Sequence, residues 1–254
     1  MPRLYEQRIF PVFLMWETGF LDTLKNLIEE AVAGRDGRRA GGGLERWWNE
    51  RLERALARPG SIFWNEMKKN ADRLSAFVPT RRDEDQAGAV QLYRAFKHQV
   101  KNKNVRMHFV GHSAGAIVGA HLVARMVADG LKLDSLTLMA PALRLDRFDE
   151  LLAPLLARGD IGRYQHFALT DRAEEDDPTC GPYRRSLLCL VSEAFEGARG
   201  TPLLGLERHA KARLAELPNT TVHWAPGRVS GASTHGGFDE DEGTIRQVLK
   251  FIRG

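Results

Sequence analysis

Apolar positions along the chain follow two rhythms. Residues 9–16 (IFPVFLMW) form a nearly unbroken apolar run. That is the pattern of a strand buried on both faces, although Pro11 moves its expected start to Val12. Leu21, Leu24, Leu27, Ile28, Ala31 and Val32 then recur at helical spacing. Residues 34–43 (GRDGRRAGGG) read as a glycine- and arginine-rich loop. The segment 44–58 predicts an amphipathic helix that Pro59-Gly60 ends. Residues 61–77 predict a second helix and 83–101 a third, opened by Asp83 and Gln86 as a variant capping box.

Beyond residue 105 the chain alternates. Strands are predicted at 105–110, 134–140, 165–170 and 221–224, and helices at 114–129, 146–158, 186–196, 206–217 and 242–252. Strand followed by helix, repeated, implies a parallel sheet covered on both faces. With residues 9–16 added, the expectation is one α/β domain over 1–254. It would be a three-layer arrangement around a mostly parallel sheet of about five or six strands, interrupted by a helical insertion at 34–82.

Composition narrows the function classes. The 254 residues are 43% apolar and 28% charged, as in a globular chain. The 37 basic residues exceed the 33 acidic ones by only four and are scattered, so no nucleic-acid partner is expected. No apolar run reaches the ~18 residues that would span a membrane, and residues 1–6 lack the core of a secretory signal. Cys180 and Cys189 are too few for a disulfide framework and lack metal-ligand spacing. A cytoplasmic protein with neither metal nor cofactor is the expectation.

The strongest chemical signal is at 107–126 (MHFVGHSAGAIVGAHLVARM). An apolar strand runs into Gly111-His112-Ser113-Ala114-Gly115, and a helix follows. This is G-x-S-x-G in a strand–turn–helix setting. A serine at so sharp a turn occupies strained backbone space. Side chains two positions away on either side would collide, so glycine is expected to be required at both 111 and 115. The turn would present the Ser113 hydroxyl above the sheet and set the Ala114 N–H at a helix N-terminus, where it can stabilise an oxyanion.

On these residues, 105–252 resembles the catalytic half of an α/β-hydrolase, the fold of esterases and lipases. The resemblance implies a nucleophile, then an acid after a later strand, then a histidine after the last strand. Asp171, directly after the 165–170 strand, is the first choice of acid; Glu174, Glu175, Asp176 and Asp177 in the following loop, and Glu193, are alternatives. His235, in the small-residue loop STHGGF before the last helix, is the base. Ala114, Thr18 and His112 are the candidates for oxyanion and substrate-binding positions.

The expected function is hydrolysis of a small-molecule carboxylic ester through an acyl-enzyme. Acyl transfer, thioester or amide cleavage on the same three groups, and a weakly active binding scaffold, are the alternatives. The chain departs from the family in lacking an upstream His-Gly oxyanion motif. Either the first strands of the sheet precede Met1, or residues 16–19 (WETG) are themselves the oxyanion loop. In the first case the sheet would carry an exposed edge open to self-association. Trp47, Trp48, Phe63 and Trp64 in the insertion serve either a lid or plain packing.

Overall fold

In the computed structural model, residues 2–6, 8–14, 19–33, 42–102 and 105–254 are described. Helices α1 (Pro2–Glu6), α2 (Phe20–Val32), α3 (Gly42–Ser75) and α4 (Gly88–Asn102) precede the alternating region. That region runs β1 (His108–His112), α5 (Gly115–Ala128), β2 (Ser135–Met139), α6 (Leu145–Leu151), α7 (Ala153–Ala157), β3 (Tyr164–Leu169) and α8 (Asp171–Asp176). It continues through α9 (Leu187–Leu190), which passes into a π-helical turn (Val191–Phe195), then α10 (Glu207–Ala215), β4 (Thr220–Ala225) and α11 (Glu242–Arg253).

The fold is α/β, with a parallel sheet in the order β1-β2-β3-β4. Registers include Gly111 opposite Leu138, Leu138 opposite His166 and Phe167 opposite His223. Every residue of β2 and β3 is buried, the polar Ser135, Thr137, Gln165 and His166 included, and these are hydrogen-bonded to His108, to each other, to His223 and to Tyr164. Leu136, Leu138, Phe148, Tyr164, Phe167 and Phe238 are fully enclosed around them.

Three sequence expectations change; the smallest is that the third predicted helix opens at Gly88, not at Asp83, with Gln86 bonded to the Val78 and Arg81 backbone in place of a capping box. The sheet has four strands among the described residues, not five or six. The missing member is the run at 9–16. Residues 9–14 form no ladder, and Phe10, Val12, Phe13 and Leu14 are exposed; Met15 and Trp16 lie outside the described residues. Apolar patterning marks a segment that could be buried but does not supply it with a partner strand, and Pro11 has no N–H to give a ladder. The strand β1 therefore has one described neighbour, β2.

Another change is at Pro59-Gly60, which does not end a helix: α3, 34 residues long, runs on through Pro59 to Ser75. Tertiary contacts outweigh the lost backbone bond and ring clash of an interior proline. A Cβ at Gly60 would lie 2.1 Å from the Phe195 ring, so glycine is needed for close approach to the π turn. Polar ties run along the same face. The Arg184 N–H donates to Asn49 at 3.1 Å, the Tyr183 hydroxyl to Glu53 at 3.0 Å, and the Trp64 indole to Glu196 at 2.7 Å. Trp64 is fully buried, and Trp48 donates to the Pro182 carbonyl, whereas Trp47 is exposed beneath Arg51. Most of these aromatics thus hold α3 against the rest of the protein.

Candidate active site

The strand β1 ends in a turn fixed from three sides. The Ser113 N–H donates to the Met139 carbonyl at 2.9 Å, and the Ser113 carbonyl accepts from Ala116 and Ala142, both at 3.1 Å. Ser113 is held at φ 53°, the left-handed region that a non-glycine residue rarely adopts. Ala114 is already helical (φ −62°, ψ −22°) and stands immediately before α5. Its N–H has no hydrogen-bond partner among the described residues, so it is available at the positive end of a helix.

The two glycines of the motif are not equivalent. A Cβ at Gly111 would lie 3.0 Å from the Phe109 ring and 3.2 Å from the Gly115 carbonyl. A Cβ at Gly115 meets nothing within 4 Å, and its backbone has ordinary helical geometry. The expectation that both positions demand glycine therefore holds at 111 alone. Gly111→Ala is expected to destabilise the fold by about 1–3 kcal/mol through overpacking. Gly115→Ala is expected to be neutral or stabilising by up to ~1 kcal/mol through reduced backbone freedom in the unfolded chain. Urea unfolding of both variants checks this; a larger loss at 115 would contradict the geometry.

His235 opens a short 3₁₀ turn (His235–Phe238) between β4 and α11 and is buried. Its Nε2 lies 2.7 Å from the Ser113 Oγ. Residues 122 positions apart in sequence are thus joined as nucleophile and base would be. The His235 main chain is gripped at both ends. Its N–H donates to the Asp177 carboxylate at 2.7 Å, and its carbonyl meets the His112 Nε2 at 2.9 Å, the two imidazoles stacking at 5.6 Å. His112 therefore faces His235, not an open substrate position. Burial, with a smaller contribution from His112, pushes the His235 imidazole down to about 3. A neutral ring at neutral pH is the form that can accept a proton.

Asp171 lies elsewhere. It opens α8, with Thr170 as the helix cap, and accepts from the Arg208 N–H at 3.2 Å while its own N–H donates to Glu207 at 3.0 Å. These bonds tie the start of α8 to the start of α10, and no hydrogen bond joins Asp171 to His235 among the described residues. The carboxylate in contact with His235 belongs to Asp177, one of the loop alternatives. Asp177 is buried, and its other oxygen accepts from the Thr179 N–H at 2.9 Å and from the Thr179 hydroxyl. The local signal for this was Asp177-Pro178-Thr179. Proline disfavours helix at the preceding residue, so α8 stops, and an Asp bonded two residues on makes an Asx turn that points it inward. The His235 Nδ1 is buried and has no partner among the described residues. Thr18, the second oxyanion candidate, lies outside the described residues.

A second buried carboxyl borders this loop. Glu174 accepts from the Ser186 hydroxyl and is otherwise enclosed. Desolvation pushes it up to about 8, against the pull of Ser186 and with a further push from Asp177. In the folded protein Glu174 therefore keeps its proton where the unfolded chain, near its ordinary 4.5, has lost it. Its contribution to stability is complete below pH 4.5 and is lost as pH rises through 8. His235 and His166, the latter also pushed to about 3 by burial, act the other way, with stability lost as pH falls from 6.5 toward 3. Glu174→Gln is expected to remove the fall in unfolding midpoint that is complete by about pH 8 while keeping the acid one. Parallel pH profiles for the two proteins would contradict this.

No family model matches the chain, and comparison with curated proteins and with solved structures found no significant similarity. No described helix is long and apolar enough to cross a membrane.

Proposed function

We propose that this chain is a serine hydrolase of the α/β-hydrolase type that cleaves carboxylic esters through an acyl-enzyme. The observation that carries the reading is the 2.7 Å approach of the His235 Nε2 to the Ser113 Oγ. That serine stands in a strained turn between a parallel strand and a helix. A serine hydroxyl needs an adjacent base to become nucleophilic, and a buried neutral imidazole at hydrogen-bond distance meets that need.

In this mechanism the Ser113 Oγ attacks the ester carbonyl carbon as its proton passes to His235. The Ala114 N–H stabilises the oxyanion of the tetrahedral intermediate. Collapse breaks the bond to the alcohol oxygen, which takes the proton from His235. Water, deprotonated in turn by His235, then attacks the acyl carbon, and the Ser113 oxygen leaves with that proton. Asp177 and His112 hold His235 in place through its main chain, and Asp177 is the carboxylate we assign to orienting it.

A fluorophosphonate probe tests the reading. The expected result is one covalent adduct, mapped by mass spectrometry to Ser113. Folded protein that stays unlabelled, or an adduct on another residue, would remove the basis of the proposal.

A further inference from the structure

Beside the nucleophile turn lies an open cleft of about 340 Å³, bounded by α3 (Lys68, Lys69, Asp72), by α5 (Ile117, His121), by the segment after β2 and by Glu196. Two of its lining residues are bonded to the backbone of the turn. The Ala142 N–H donates to the Ser113 carbonyl, and Ile117 lies in the first turn of α5, its N–H on the Ala114 carbonyl. Four cations line the cleft, Lys68, Lys69, Arg144 and Arg147, against two carboxylates in the lining, Asp72 and Glu196; Glu66, Asp146 and Glu150, which pair with Lys69, Arg144 and Arg147, lie outside it. The lining of the cleft is thus richer in cations than in acids, in a chain whose basic excess is only four.

The inner acid is already committed. Glu196 is buried and receives the Trp64 indole and the Lys68 ammonium, each at 2.7 Å, with the Arg144 guanidinium at 3.6 Å. It fixes Lys68, while Arg144 is held mainly by Asp146, to which its Nε donates at 2.9 Å and its second guanidinium nitrogen also donates. Lys69 and Arg147 sit at the rim, exposed, with only exposed partners, Glu66 and Glu150. Exposed pairs of this kind hold weakly, so both side chains can turn to a ligand at small cost. Guanidinium groups match carboxylate and phosphate oxygens in geometry as well as charge. His121 faces Asp72 and Arg147, and burial lowers its pKa, so it adds a neutral polar wall.

We propose that this cleft is an anion subsite and that the substrate is an ester carrying a second, negatively charged group, a carboxylate or phosphate. The inference rests on the hydrolase reading above and names its substrate class.

The experiment compares kcat/KM of the full chain for p-nitrophenyl butyrate, for mono-p-nitrophenyl glutarate (anion on the acyl side) and for 4-carboxyphenyl butyrate (anion on the alcohol side). At low salt one anionic ester is expected to exceed the neutral ester at least about tenfold, an advantage that shrinks with added salt. Combined Lys69→Gln and Arg147→Gln is expected to lower that ratio by about tenfold or more, while Arg246→Gln, exposed on α11, leaves the ratio unaltered. Turnover of the neutral ester with no anionic preference, or a preference untouched by the double change, overturns the subsite alone. Turnover of none of the three esters overturns the hydrolase reading and the subsite with it.

Discussion

Ser113→Ala is expected to lower ester turnover by about 10⁴- to 10⁶-fold, and His235→Ala by a similar factor, with the double variant no worse than either single one. The reason is the 2.7 Å contact between them. A base with no hydroxyl to deprotonate and a hydroxyl with no base fail at the same step, so the losses cannot add. Activity left in every variant would come from the Ala114 N–H and from substrate binding, which neither change removes. Steady-state kinetics of the two single variants and the double variant decide the matter. Losses that multiply would mean that the two residues act on separate steps, and the proposed proton transfer would fall.

The second large effect separates two aspartates six positions apart. Asp177→Asn is expected to reduce kcat by up to about 10⁴-fold with little change in KM, the signature of a misoriented base. Asp177 accepts from the His235 N–H and from Thr179, and an amide can donate where the carboxylate accepts. Asp171→Asn is expected to leave kcat within about twofold, because Asp171 is half-exposed and paired with Arg208 on the surface. A merely structural Asp177 would show loss of folded protein with an unaltered kcat per folded molecule, so unfolding midpoints accompany the kinetics. Equal losses at the two positions would refute the assignment.

The part of the fold legible in the sequence was the part with strong local signals. The strands at β1 to β4 and the helices after them announced themselves by alternation of apolar runs and amphipathic segments. Ser113 was legible because a strand–turn–helix motif is local: every residue that shapes it lies within a few positions of it. His235 was legible from its place in a small-residue loop between the last strand and the last helix. Asp171 looked equally well placed at a strand end, yet the chain turns there into α8 and the side chain meets Arg208. Choosing between Asp171 and Asp177 needed the position of His235, which lies 58 residues further on.

Local chemistry along the chain determined the strand and helix segments and the sharp turn at Ser113, because each depends on periodicity or on backbone restrictions of neighbouring residues. Only tertiary structure decided which carboxylate reaches His235, that α3 runs on through Pro59 and that residues 9–14 stay outside the sheet. It also decided that Gly115 faces open space and that cations from α3 and from the segment after β2 meet beside the Ser113 turn. These are contacts between segments tens of residues apart. Their energies depend on distance and burial in the folded chain, which no local pattern of residues encodes.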